Sequence, residues 1–144
     1  MRLYLTGHDC RYAAEQTLLT LFPGEKPEYP GGKPQGDRCE LTMRRGAGYT
    51  TCSCRLIQGG LVYTGRAAVK NTSFTDDLAE NRLKQRIVKL AFYRAALRSG
   101  VPEPEWGSLT GVRPAKLLSA YLKNARSERA AVSRFRREFG VSEA

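Results

Sequence analysis

The stretch RCELTMRRGAGYTTCSCRLIQGGLVYTGRAAV, residues 38–69, decides the fold. Its side chains alternate with a period of two, the signature of strands that bury one face. In 38–44, Cys39, Leu41 and Met43 fall on one side and Arg38, Glu40, Thr42 and Arg44 on the other. In 49–57, Cys52, Cys54 and Leu56 share a face opposite Tyr49, Thr51, Ser53 and Arg55. In 61–69 the inner set is Leu61, Tyr63, Ala67 and Val69. Gly59-Gly60 makes a two-residue hairpin turn, since glycine takes positive φ without steric cost. Gly46-Ala47-Gly48 is an equally permissive turn. The reading is a three-stranded meander with Cys39, Cys52 and Cys54 on the core face.

Upstream, Met1, Leu3 and Leu5 alternate with Arg2, Tyr4 and Thr6, which predicts one more strand. A helix follows over 10–21, with Ala13, Leu18, Leu19 and Leu21 inward and Asp9 as N-cap. Residues 23–36, PGEKPEYPGGKPQG, hold Pro23, Pro27, Pro30 and Pro34 among glycines and read as a mobile surface loop. Downstream, Thr75 before Asp76 and Asp77 is the expected N-cap of a helix striped by Leu83, Ile87, Leu90, Ala91 and Leu97. Gly100 before Val101-Pro102 ends it. Pro114 and Ser127 open two further helices. The order is strand, helix, loop, three strands and three helices. It predicts an α+β fold: a mainly antiparallel four-stranded sheet with helices on one face, over 1–100, then a helical segment over 101–144.

Composition sets the limits. The chain has 144 residues, 24 Lys+Arg against 14 Asp+Glu, and a formal net charge of +10. A chain of that length buries roughly two-thirds of its unfolded surface and needs no disulfide scaffold. No apolar run reaches the roughly 20 residues of a membrane span, and the N-terminus lacks the features of a secretory signal. A soluble cytoplasmic domain is expected. The excess charge starts after the loop: residues 1–36 hold four basic and four acidic side chains, 37–70 six and two, 71–144 fourteen and eight. The cysteines, Cys10, Cys39, Cys52 and Cys54, have no zinc-ligand or cluster spacing and read as small apolar fillers. His8 is the single histidine. No Ser–His–Asp or Cys–His–Asn set, P-loop or metalloprotease helix is evident. No catalytic, metal-binding or cofactor-binding residue is assigned.

Three features are candidates for binding. Arg2, Tyr4, Arg38, Arg44, Tyr49, Arg55 and Arg66 share the outer sheet face, where tyrosines suit base stacking and guanidinium groups suit phosphate. The alternative is an ordinary solvated face, or one that docks on another domain. Arg82, Arg86, Lys89 and Tyr93 form a stripe on the long helix, either a phosphate-following band or simply its wet side, where Glu80 and Lys84 also pair. The third is W-G-S-L-T-G-V-R-P-A-K-L, 106–117. Its candidate residues are Trp106, Thr110, Arg113 and Lys116. Arg113 and Lys116 flank a proline-opened helix start whose free backbone donors suit an anion or a carboxylate. The alternative is a structured interhelix turn with Trp106 in the core and the glycines bending the chain.

This twelve-residue run resembles the segment ahead of the catalytic barrel in the oxygen-independent coproporphyrinogen III oxidase-like radical SAM proteins of Firmicutes, the coproporphyrinogen dehydrogenase family. The rest of the chain is compatible with the same domain. The resemblance implies porphyrin and heme biosynthesis, and an oxidoreductase barrel beyond Ala144. In that barrel a Cys-x3-Cys-x2-Cys motif binds a [4Fe-4S] cluster that cleaves S-adenosylmethionine. None of the four cysteines here matches the motif, so no cluster residue carries over. The resemblance thus implies an N-terminal accessory domain, inactive by itself. Its partners would be the barrel and a polycarboxylate porphyrinogen, with Trp106, Thr110, Arg113 and Lys116 facing one of them. The alternative is a basic nucleic-acid-binding domain.

Overall fold

The computed structural model describes residues 1–103. The chain divides into two units, Met1–Pro102 and Glu103–Ala144. The helices expected after Pro114 and Ser127, and with them Trp106, Thr110, Arg113 and Lys116, lie outside the described residues.

Unit 1 is an α+β fold. Strand β1 (Arg2–Thr6) leads into helix α1 (Arg11–Leu21), then β2 (Arg38–Arg45), β3 (Tyr49–Gln58) and β4 (Leu61–Lys70). A short 3-10 turn, Asn71–Ser73, connects to helix α2 (Asp77–Arg98). The sheet order is β1-β2-β3-β4. The last three strands form the expected antiparallel meander, and β1 runs parallel to β2. A parallel pair needs a crossover, and α1 supplies it. Gly59 and Gly60 carry φ of 57° and 81°, as the two-residue hairpin requires. Gly46 and Gly48 do not take positive φ, so that turn makes no use of glycine's conformational freedom.

The alternation read from the sequence places the core. Leu3, Cys39, Leu41, Met43, Cys52, Cys54, Leu56, Ala67 and Val69 are buried with Ala13, Ala14 and Leu18 of α1 and Ile87, Val88, Ala91 and Phe92 of α2. Phe22 and Phe92 stack between the two helices, ring centroids 6.3 Å apart. Among the described residues both helices therefore cover one face of the sheet, and no helix covers the other.

Several local expectations are corrected. The α1 N-cap is Cys10, not Asp9, and it makes no side-chain cap. Asp9 instead pairs with Arg11, 3.2 Å away. Leu19 is exposed because the buried stripe of α1 runs through Ala14, Thr17, Leu18 and Leu21. The α2 N-cap is Asp76 rather than Thr75: its Oδ1 accepts from the Ala79 amide at 2.7 Å. Leu61 is exposed, since β4 begins at the hairpin end of the sheet. The loop 23–36 contains no helix or strand, as its prolines predict. Nevertheless, Glu28 bonds across to β1: its amide donates to the Met1 carbonyl and its carbonyl accepts from the Leu3 amide. The loop thereby covers the outer edge of β1, which would otherwise offer unpaired backbone groups. At the opposite edge, Arg94 and Arg98 of α2 reach β4, donating to the Arg66 carbonyl at 2.6 Å and to Thr64 Oγ1 at 3.2 Å.

Candidate anion-binding face

Strand register determines which outer-face residues meet. Three rows cross β2, β3 and β4: Glu40, Arg55 and Thr64; then Thr42, Ser53 and Arg66; then Arg44, Thr51 and Ala68. Around the last two rows lies a shallow cleft of about 640 Å³. Thr42, Thr51 and Ser53 form its floor, Arg44, Arg55 and Arg66 stand at its sides, and Gly46–Gly48 with Tyr49 form its rim. The floor side chains are short because larger ones would fill the pleat between the arginines.

Electrostatics separates the arginines. Glu40 accepts from Arg38 Nε at 3.0 Å and lies 3.7 Å from Arg55, so one carboxylate holds Arg38 well and Arg55 loosely. Arg44 and Arg66 have no side-chain hydrogen bond or ion pair among the described residues. Arg55 and Arg66 stand diagonally across β3 and β4, where side chains start about 7–8 Å apart and like charges repel. The cleft therefore combines a net positive field with hydroxyl donors.

The rim is fixed from below. Asn71 Nδ2 donates to the Gly46 carbonyl at 2.9 Å, while Asn71 Oδ1 accepts from Thr50 Oγ1 at 2.7 Å. The Asn71 amide itself donates to the Gly48 carbonyl. One side chain thus ties the β2–β3 turn to the end of β4. Sequence reasoning missed Asn71, since an asparagine after a strand reads as an ordinary turn residue.

The predicted outer-face set is brought onto one side of the sheet, but not into one site. Arg2 turns to the Gln35 carbonyl and Arg38 to Glu40 and the Gly36 carbonyl. Tyr4 shares a row with Glu40 and Arg55, whereas Tyr49 lies six residues from Arg55 along β3. That puts the two tyrosines about 20 Å apart along the strand direction, too far to stack neighbouring bases. The helix stripe fares worse as a band: Tyr93 is buried, and Lys89 is half-buried with its Nζ 5.9 Å from the centre of the Tyr12 ring. Glu80 and Lys84 do pair, at 2.9 Å.

Cys39 and Cys54 point at one another within the core, Sγ to Sγ 3.5 Å. Burial pushes the Cys52 thiol up to about 12. Among the described residues no group of three or more His, Cys, Asp or Glu could hold a metal ion, and no helix is long and apolar enough to cross a membrane. Compared with known proteins, the chain matches no family model, no curated protein and no solved structure.

Proposed function

We propose that the chain is the N-terminal accessory domain of an oxygen-independent coproporphyrinogen III oxidase-like radical SAM protein, acting by binding rather than by chemistry of its own. The structural observation that supports this reading is the open, arginine-lined sheet face: a domain that packs both helices on one side keeps the other for a partner or ligand. The run from Trp106 to Leu117 supplies the family likeness. Guanidinium forks suit the carboxylates of a porphyrinogen, which they grip in bidentate pairs. The cluster and S-adenosylmethionine would belong to the barrel.

The cheapest test is the reading frame beyond Ala144. A barrel with a Cys-x3-Cys-x2-Cys motif is expected, and a stop codon there would overturn the proposal. Where the barrel is present, Arg113→Ala is expected to weaken its docking or its turnover while leaving the stability of the 144-residue chain within about 0.5 kcal/mol.

A further inference from the structure

We infer that the cleft bounded by Arg44, Arg55 and Arg66 is a site for a compact polyanion, a small molecule bearing two or more phosphate or carboxylate groups. The inference rests on reading the open face as a binding surface, and it names the ligand class and the residues that hold it.

Four observations converge on it. The cleft, about 640 Å³, lies within the range of small-ligand sites. Its floor is made of Thr42, Thr51 and Ser53, hydroxyls that can donate to anionic oxygens. Arg44 and Arg66 lie two strands apart, about 10 Å across the sheet, so their long side chains converge on one bound molecule from opposite sides. Neither has a side-chain partner among the described residues, while Arg55 is held by Glu40 only at 3.7 Å. A dianion or polyanion would relieve the repulsion between Arg55 and Arg66 and draw Arg55 away from Glu40. An extended nucleic acid would need stacking partners closer together than Tyr4 and Tyr49.

Glu40 becomes the internal competitor of the ligand. It occupies Arg55 when the cleft is empty and retains Arg38 when Arg55 leaves.

The test is titration calorimetry of the full 144-residue chain with tripolyphosphate and with citrate at low salt. A 20-nucleotide single strand serves as the macromolecular control, and circular dichroism verifies that each variant is folded. Binding of at least one small anion is expected, and the tighter of the two identifies phosphate or carboxylate as the chemistry. Arg44→Ala and Arg66→Ala should each weaken it about tenfold, as loss of a charge-assisted pair would, with Arg82→Ala, on the helix away from the cleft, unchanged. Glu40→Gln, which frees Arg55, should tighten it. The proposal is overturned if Arg82→Ala weakens binding as much as Arg66→Ala, if folded protein binds neither anion, or if the single strand binds more tightly than both. None of these results alters the expected reading frame or the Arg113 docking effect, so the accessory-domain reading is judged separately.

Discussion

Gly65 lies directly beneath Ala91: a Cβ built on Gly65 would overlap the Ala91 carbonyl oxygen and crowd the Ala95 amide. Its φ is not positive, so the glycine is there for space and not for backbone freedom. Helix α2 crosses β4 at this point, and backbone meets backbone because no side chain intervenes. The inner face of β4 is accordingly small there, running through Gly65 and Ala67.

Gly65→Ala is therefore expected to destabilise the chain by about 1–3 kcal/mol, the usual cost of overpacking against atoms that cannot yield. Gly24→Ala is the matched control, having nothing within 4 Å of the added carbon, and should stay within about 0.5 kcal/mol. Urea midpoints of the two variants decide it. Equal midpoints would mean that α2 can slide off β4 at little cost.

A second prediction concerns pH. The Cys10 amide can only donate, so His8 Nδ1, 3.1 Å away, accepts from it, and Nε2 must carry the proton given to the Leu41 carbonyl at 3.0 Å. That arrangement needs a neutral ring. Burial lowers the His8 pKa below its ordinary 6.5, against the Leu41 hydrogen bond and Asp9, which raise it, and alongside Lys84, which lowers it. A depressed histidine stabilises the fold above its unfolded value and loses that contribution as pH falls toward the lower native one. Stability should therefore drop as pH falls through and below about 6.5, the histidine's unperturbed value. His8 is the chain's single histidine, so His8→Gln should be flat across the same window. A wild-type urea midpoint that holds steady there would remove the idea.

The residues explain what could be read in advance. The meander was legible because Cys39 to Val69 bury one face only, and a period of two then survives in the sequence. The cap of α2 was missed by one position because Thr75 and Asp76 are both good caps, and only geometry shows whose oxygen reaches Ala79. Tyr93 looked like the end of a wet stripe, yet it is buried, since nearly every side of α2 around Ile87–Ala96 is covered. The outer-face arginines were legible one by one. Their grouping was not, because Arg44, Arg55 and Arg66 meet only through a register that pairs Thr42 with Ser53 and Ser53 with Arg66. His8 had no signal, since a lone histidine in a loop carries no periodicity.

The cysteines give a third prediction. Cys39, Cys52 and Cys54 are buried, and Cys10 is half-buried. The Cys54 thiol is raised by its hydrogen bond with Cys39 and by burial, and burial raises Cys10 as well. A thiol that is both raised and enclosed reacts only when the chain opens. Iodoacetamide at neutral pH should label Cys10 slowly in the native protein and the other three only at the urea concentration that unfolds it. Prompt native labelling of any of the three, read by peptide mass, would show that the sheet opens locally.

The last prediction joins stability to binding through Asn71. Thr50 is only 1% exposed, and its hydroxyl donates to Asn71 Oδ1. Asn71→Ala leaves that hydroxyl buried without its acceptor and frees the Gly46 carbonyl at the cleft rim. Leaving a buried polar group unsatisfied costs about 1–3 kcal/mol, so a loss of that size in urea unfolding is expected. Asn71→Asp separates the two roles. Its carboxylate still accepts from Thr50, so stability should fall less. It can no longer donate to Gly46, and it brings a negative charge under the Gly46–Gly48 turn that rims the cleft. If the rim only shapes the fold, anion affinity should follow stability across the two variants. If the rim positions the turn against a bound anion, Asn71→Asp should lose more affinity than Asn71→Ala while losing less stability. That crossed order is the expected result, and parallel losses would confine Asn71 to holding the turn.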